Sequence, residues 1–458
     1  MSRDRSMVGP SMLVLAGAVA LVCAWVLAFG SFELRLLSPF LYADATARLF
    51  VVVIDTIFLG IAVHTWTRVQ TEATENADSR GQVALLLLFV VAANFSILSN
   101  QFVGSWIGLE LSTVALAPLV VHSGENSRRA SWRYFLFSSV GLGIALLGLL
   151  ALARGVSDGD VAGLFVQRLI GRVAAEPSHW RTVGLALVLL GYGTKLGLAP
   201  MVMWLPETYD EAPPPITSMM AAIQFNCALV GLIRVLQVFR PGNEQLISTE
   251  LLGMGLASVA LATASLIATT HIRRLVAYAS IMHAGIIAIG LGVGGGAGYG
   301  VLLYAVSNAF IKAMLFLTAG KIESQYGTKD TADIRGVIKG LPYSGLFLMA
   351  GTFALLGFPP FGSFVGEMLI LSGLVRSGYL MTFATLGFLV SVTFIATGRT
   401  VFPMIWGQPT RALPPGRQTF LAFLPKLVFL VVLVVLGIHL PGPVNALFRE
   451  VAVSLGDL

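Results

Sequence analysis

The chain has 458 residues, of which 56% are hydrophobic and only 11% are charged, whereas about 25% of the residues in a typical soluble domain are charged. This composition excludes a soluble enzyme, a secreted domain and a disordered chain. The net charge of +6 does not indicate a nucleic-acid partner, because Lys and Arg in membrane proteins concentrate in cytoplasmic loops.

Apolar runs of about 20 residues recur along the chain and predict membrane-spanning helices, since lipid cannot satisfy an open backbone. We therefore expect an all-α polytopic membrane protein. Its thirteen spans are predicted at roughly 11–30, 45–65, 82–100, 102–122, 133–153, 183–204, 215–238, 249–269, 274–294, 298–319, 343–373, 379–404 and 419–440. The first run is too long for the apolar region of a signal peptide.

Two of the spans contain prolines that predict helix breaks. The sixth contains Pro200 and Pro206, and the eleventh contains Pro359 and Pro360. Proline removes a backbone donor and clashes with the preceding turn, and a broken helix inside a membrane is tolerated where it lines a wet cavity. The alternative is two kinks that serve packing alone.

The two breaks are about 160 residues apart, which is typical of inverted-repeat transporters. The predicted organisation has amino-terminal helices at 1–81, a first five-helix repeat at 82–240, a second at 241–405 and a carboxyl-terminal helix with tail at 406–458. Loops on the amino-terminal side carry 16 of the 29 Lys and Arg, against 10 on the other side. This bias predicts a cytoplasmic amino terminus.

Ionisable residues inside the spans are the first candidates for function. Each costs about 2.5–3.5 kcal/mol at the bilayer centre on insertion scales. Six of them are the candidates: Asp55, Glu110, Lys195, Lys312, Glu367 and Lys426. Four of them follow one another as acid, lysine, lysine, acid, which suits a chain of proton sites in the membrane plane.

Glu110 and Lys195 form the sharpest pair of candidates. Burial moves both groups toward proton exchange near neutral pH, and an opposite charge nearby restores the charged forms. The pair can therefore act as a proton switch, with a static buried ion pair as the alternative. Asp55 is a second acid for the proton path. Lys426 lies near a span end and is expected to reach the membrane interface.

His283 and His271 are candidate proton relays, because histidine titrates near physiological pH, although a lone histidine is more often a satisfied core residue. The other histidines form no metal-ligand pattern. The two cysteines, Cys23 and Cys227, form no CxxC pair. No cofactor motif, metal site or catalytic triad is predicted, so an isolated chain has no catalytic centre.

Four segments carry a resemblance to a known family: 106–110 with its tryptophan and glutamate, 195–219 (KLGLAPMVMWLPETYDEAPPPITSM), 274–285 (RLVAYASIMHAG) and 308–320 (NAFIKAMLFLTAG). With them the chain resembles the antiporter-like, proton-translocating membrane subunits of respiratory complex I, Mrp sodium/proton antiporters and membrane-bound hydrogenases. Segments 131–141, 326–337 and 357–371 are similar to component F of hydrogenase-4 and formate hydrogenlyase.

The resemblance implies roles for the four central charges. Glu110 is the acid of the first half and Lys195 its paired lysine, while Lys312 is the central lysine of the second half and Glu367 its terminal acid. The chain departs from the family at Asn308, where many relatives have histidine. Met220 also replaces a polar relay group, so water has to bridge more of the path.

The function that the resemblance implies is proton translocation in a multisubunit complex of a bacterial inner membrane. Its partners are other membrane subunits and a peripheral catalytic arm, and its ion is H⁺ or Na⁺. Two alternatives stay open. The chain energises inorganic-carbon uptake or an Mrp-type antiporter, or it is a structural scaffold with an inactive channel.

Overall fold

The computed structural model describes residues 2–30, 39–71, 80–122, 124–156, 163–171, 178–409 and 420–456. Within these ranges regular structure is helical, and β-pairing is limited to isolated bridges. The helices are α1 (Ser2–Phe29), α2 (Ala45–Thr71), α3 (Arg80–Leu98), α4 (Phe102–Val120), α5 (Gly124–Val156), α6 (Val166–Leu169), α7 (His179–Leu196), α8 (Trp204–Glu211), α9 (Pro214–Ser218), α10 (Phe225–Phe239), α11 (Glu244–Ala268), α12 (Ile272–Val293), α13 (Gly298–Tyr326), α14 (Val337–Gly340), α15 (Pro342–Leu355), α16 (Gly362–Arg376), α17 (Leu380–Trp406), α18 (Phe420–Ile438) and α19 (Gly442–Ser454).

The all-α polytopic fold is confirmed. Eleven continuous helical segments in the described ranges are long and apolar enough to cross a membrane, and one of them joins α9 to α10 through a π-helical turn. The two interrupted pairs, α7–α8 and α15–α16, bring the crossings to the predicted thirteen. The terminal helix α19 packs on α2 and α13.

A repeated backbone pattern reveals the two inverted halves. The short connection between α3 and α4 pairs with the segment that follows α5, through Phe102 N to Leu164 O (3.2 Å). The connection between α11 and α12 pairs in the same way with the segment after α13, through Ile272 N to Lys329 O (3.1 Å). Five crossings separate the two connections, so they lie on opposite membrane faces. The exact residue boundaries of the repeats stay a prediction.

Both breaks are built alike. Each begins at a glycine with positive φ, Gly197 at +78° and Gly357 at +66°. Each contains a cis proline three residues later, at Pro200 and Pro360. Positive φ favours glycine because it has no Cβ. The two spans are therefore interrupted by the same local geometry.

One predicted break residue is placed differently. Pro206 is the third residue of α8, so the prediction that it interrupts the span is wrong. Proline is tolerated in the first turn of a helix because the donor that it lacks would be unpaired there. Pro359 lies inside the second break, between α15 and α16.

The helices in the middle of the molecule are surrounded by protein. In the apolar windows of α9–α10 and α13 every residue is buried, and in α12 the share is 89%, against 17% in α17. Lipid therefore faces the outer helices. Polar groups on α10, α12 and α13 can only be satisfied by protein or by water within it.

Gly197→Ala should destabilise the first break by about 1–2 kcal/mol, because a side chain disfavours positive φ. A Cβ there would also lie 2.5 Å from Leu205. Gly143→Ala is the matched control, since its Cβ meets no atom within 4 Å and alanine is the better helix former. Thermal unfolding in detergent checks both variants, and equal unfolding temperatures would contradict this account.

Candidate functional site

Lys195 occupies the end of α7, directly before the first break, and is 4% exposed. Its Nζ donates a hydrogen bond to Thr113 Oγ1 (2.8 Å) and a longer one to the Tyr134 hydroxyl (3.4 Å). Tyr134 donates in turn to Gln224 Oε1 (2.7 Å), and the Gln224 amide donates to Ser112 Oγ (2.9 Å). The lysine is thus held by neutral groups.

Glu110 lies on the same helix as Thr113 but does not touch the lysine directly. It accepts a hydrogen bond from Ser139 Oγ at 2.6 Å, and its other carboxylate oxygen is buried without a hydrogen-bond partner among the described residues. The carboxylate acts on Lys195 electrostatically. The structure therefore does not show the direct buried ion pair that was the alternative interpretation.

A π-helical turn, Met219–Gln224, links the two halves of the site. Such turns are rare and occur mostly at functional positions. Here the turn ends with Gln224 bound to the Lys195 cluster. The next residue, Phe225, faces the second half, where its ring centroid lies 4.0 Å from Lys312 Nζ. Adjacent residues of one helix thus contact both lysine environments.

Lys312 lies in the middle of α13 and is 1% exposed. Its contact with Phe225 is a cation–π interaction, worth about 2 kcal/mol where the cation is desolvated. His283 Nδ1 of the neighbouring helix α12 and the hydroxyl of Tyr304, also on α13, share a short hydrogen bond. Several buried polar atoms nearby have no hydrogen-bond partner among the described residues: His283 Nε2, Ser307 Oγ, and Asn308 Nδ2 and Oδ1.

Glu367 is the last of the four charges and lies on α16, with 7% of its surface exposed. Its carboxylate lies against the second break, since a Cβ at Gly357 would be 2.4 Å from Glu367 Oε2. The carboxylate also acts electrostatically on Tyr304. The second break therefore carries an acid where the first carries a lysine.

Asp55 lies apart from this row. It is 1% exposed and accepts a hydrogen bond from Asn94 Nδ2 at 2.9 Å. Both residues line an apolar groove of about 640 Å³ between α1, α2 and α3. Among the described residues no group of three or more His, Cys, Asp or Glu side chains is arranged to hold a metal ion.

A charged cluster at one membrane face was missed in the sequence. Asp210, at the end of α8, is 1% exposed and contacts the side chains of three residues of the second half. These are Arg274 Nε (2.9 Å), His271 Nδ1 (3.3 Å) and Lys329 Nζ (3.6 Å). His271, predicted as a relay, is therefore a partner of Asp210. Composition gave no signal, because the aspartate stands among loop-like residues.

Two cations also occupy unexpected places. Arg234 was counted with the loops but is 2% exposed in α10, where it donates to the carbonyl groups of Ser99 and Ile97 at the end of α3. Lys426, which is expected to reach the membrane interface, is only 4% exposed and lines a cavity at the helix ends. The hydropathy of the sequence did not predict either position.

Solved structures define the class of fold. The chain superimposes on a subunit of the membrane-bound sulfane sulfur reductase, an archaeal respiratory membrane complex, with a TM-score of 0.86 and 23% identity, covering 98% of this chain and 92% of that one. It superimposes on a subunit of the Mrp complex from Dietzia sp. DQ12-45-1b with a TM-score of 0.87 and 20% identity, covering 99% and 93%. The fold is that of antiporter-like membrane subunits.

The family follows from the sequence. Residues 99–394 match the family described as NADH:quinone oxidoreductase/Mrp antiporter, transmembrane, and the chain belongs to it. A hydrogenase-4 component F homolog of Methylacidiphilum infernorum is 30% identical over 372 residues, covering 79% of this chain and 76% of the relative. NADH-quinone oxidoreductase subunit N of Salinibacter ruber is 29% identical over 379 residues, covering 79% and 74%. The resemblance noted in the sequence is confirmed.

Asp210→Asn should destabilise the fold by about 1–3 kcal/mol, because it leaves the cationic groups of Arg274 and Lys329 without their shared carboxylate. The expected loss of stability is this small because Arg274 and Lys329 are 41% and 27% exposed, so solvent screens part of their interaction with Asp210. High salt should narrow the difference from the wild type in thermal unfolding. Glu125→Gln, which removes an exposed pair with Arg129, is the control with no expected change.

Proposed function

We propose that the chain is the proton-translocating subunit of a larger membrane complex. The observation that carries the proposal is the row of polar groups that runs from the half-buried Glu110 to the buried Glu367, and whose middle part lies on the most enclosed helices. Intramembrane ionisable groups that face the interior of a bundle are typical of proton relays. A row that only stabilised packing would gain more from apolar side chains.

The first half of the proposed path is a switch between Glu110 and Lys195. When Glu110 is ionised, its charge favours the protonated lysine; when Glu110 takes up a proton, the lysine is free to release its own. The neutral groups of Thr113, Tyr134 and Gln224 hold the ammonium in place without competing for its charge. The lysine can therefore release a proton toward the second half.

The second half receives the proton at Lys312 and passes it to Glu367. The unpartnered atoms of His283, Ser307 and Asn308 lie along this part, and buried polar groups of this kind are commonly bridged by water. Asn308 has no titratable proton, so we propose that water carries the proton past it. This assigns His283 a supporting role beside Tyr304.

Protons suit this row better than sodium ions. A hard cation needs several oxygen ligands at once, whereas Lys312 is surrounded by an aromatic ring and neutral groups. Two buried ammonium groups would also repel a metal cation. Na⁺ in place of H⁺ is therefore the weaker candidate, and ion replacement in the transport assay separates the two.

The proposed setting is the inner membrane of a bacterium, with the amino terminus in the cytoplasm. We place the driving reaction in partner subunits, including a peripheral catalytic arm, because the similar proteins belong to multisubunit membrane complexes. Assembly with a hydrogenase-like or NADH-dehydrogenase-like arm is favoured by the relatives. Supply of proton-driven energy to inorganic-carbon uptake or to an Mrp-type antiporter is the second candidate.

Glu110→Gln and Lys195→Ala should each reduce coupled proton pumping to the leak of empty vesicles while the complex still assembles. The measurement is quenching of a pH-sensitive dye in proteoliposomes that hold the intact complex. Lys339→Gln is the control, since Lys339 is exposed on α14. Undiminished pumping in either variant would remove the proposal and favour the inactive scaffold.

Gln224→Leu should slow pumping, because it removes the hydrogen bonds that Gln224 makes with Tyr134 and with Ser112. The substitution removes no titratable group. Asn226→Leu, two residues further along the same helical segment, serves as the matched control, because the Asn226 amide bonds only the backbone carbonyl of Ala222 within the described residues. Equal pumping rates in the two variants would show that the neutral link between the halves carries no proton.

A further inference from the structure

A small cavity lies where four helices end at one membrane face. It is bounded by the last turns of α2 and α13 and the first turns of α15 and α18, and its volume is about 50 Å³. One buried water needs about 10–15 Å³ of cavity volume, so this cavity has room for roughly three to five oxygen-sized groups. That is the size of one tetrahedral oxyanion.

The lining is strongly basic. Lys426, Lys321, Arg68 and His64 all face the cavity, and none of the described residues that line it is an aspartate or a glutamate. Hydroxyl groups of Tyr343 and neighbouring serines complete the wall. Basic side chains gathered around one cavity attract an anion to it.

Lys426 is the decisive member. It is 4% exposed, donates no hydrogen bond to the described residues, and has only a distant aromatic neighbour, with Nζ at 5.8 Å from the Phe347 ring centroid. A buried ammonium group without a partner costs several kcal/mol. His64 adds a buried ring nitrogen, Nδ1, that also has no partner among the described residues.

From this geometry we infer that the cavity binds a phosphate oxyanion, carried by the headgroup of an anionic lipid or free in solution. Basic pockets between transmembrane helices at the cytoplasmic side are suited to anionic headgroups. The cavity shares Arg68, Pro214, Gly320 and Ser324 with a larger cavity of about 780 Å³. That cavity has apolar walls such as Phe58 and Leu86, which suit acyl chains.

The site ties together helices that are otherwise distant in the chain. α2 and α18 lie near the two ends of the sequence, and α13 carries Lys312. A bound oxyanion would hold the three helices through their cationic side chains. The inference is independent of proton transport, since none of the four basic residues belongs to the proposed path.

The test uses the full-length protein, purified in detergent and freed of anionic lipid. Phosphatidylglycerol, phosphatidylcholine or inorganic phosphate is added, and thermal unfolding and native mass spectrometry report binding. Phosphatidylglycerol should raise the unfolding temperature and phosphatidylcholine should not. Lys426→Gln should weaken the apparent affinity about tenfold or more, the usual loss for a charge-assisted hydrogen bond.

Lys339→Gln on the same face should leave the affinity unchanged, which excludes a general surface effect. If Lys426→Gln does not fold, Lys321→Gln is measured for the same loss. A shift with inorganic phosphate that depends on Lys426 assigns the site to free phosphate, and a shift with phosphatidylglycerol alone assigns it to lipid. The inference is overturned if the ligand stabilises the Lys426→Gln and Lys321→Gln variants as much as the wild type. It is also overturned if neither ligand stabilises the wild type.

Discussion

The arrangement of this protein depends on the cost of holding an ammonium group inside a membrane with no carboxylate in contact. Lys312 has an aromatic ring at 4.0 Å and neutral polar groups around it. An uncompensated charge on a lipid-facing helix would not be retained. The other crossings therefore have to enclose α10, α12 and α13, which explains why the polar residues lie on the most buried helices and the outer ones are apolar.

The breaks impose a second requirement, because each leaves backbone groups unpaired at membrane depth. At the first break Ala199 N donates to Ser258 Oγ of α11 at 2.8 Å, so a residue of the second repeat satisfies a gap in the first. The Asp210 cluster joins the same pair of repeats at the membrane face. The Lys195 break is therefore connected by direct contacts to the half that contains Lys312.

Hydropathy identified Lys195, Lys312 and Glu367 in the sequence, because an ionisable residue in an apolar run raises the free energy of membrane insertion and therefore stands out. Gln224 gave no such signal, because a neutral amide in an apolar helix is not unusual. Only the structure shows that Gln224, at the end of the π-helical turn, bonds to Tyr134 and Ser112. Asp210 stands among prolines and acids and resembles a loop residue until its partners are seen. Partner identity in three dimensions is what the sequence lacks.

Buried polar groups without a hydrogen-bond partner have different explanations in the Lys195–Glu367 row and at the basic cavity around Lys426. Along the row from Lys195 to Glu367 the buried atoms without a hydrogen-bond partner belong to neutral or titratable groups, which bridging water is able to satisfy. At Lys426 the neighbouring ionisable side chains are all basic, and the anion that we infer would compensate them while they stay charged. Lys312 and Lys321 are nine residues apart on α13, about 14 Å along the helix. The two lysines therefore belong to separate sites on one helix, Lys312 in the middle of the bundle and Lys321 at the membrane face.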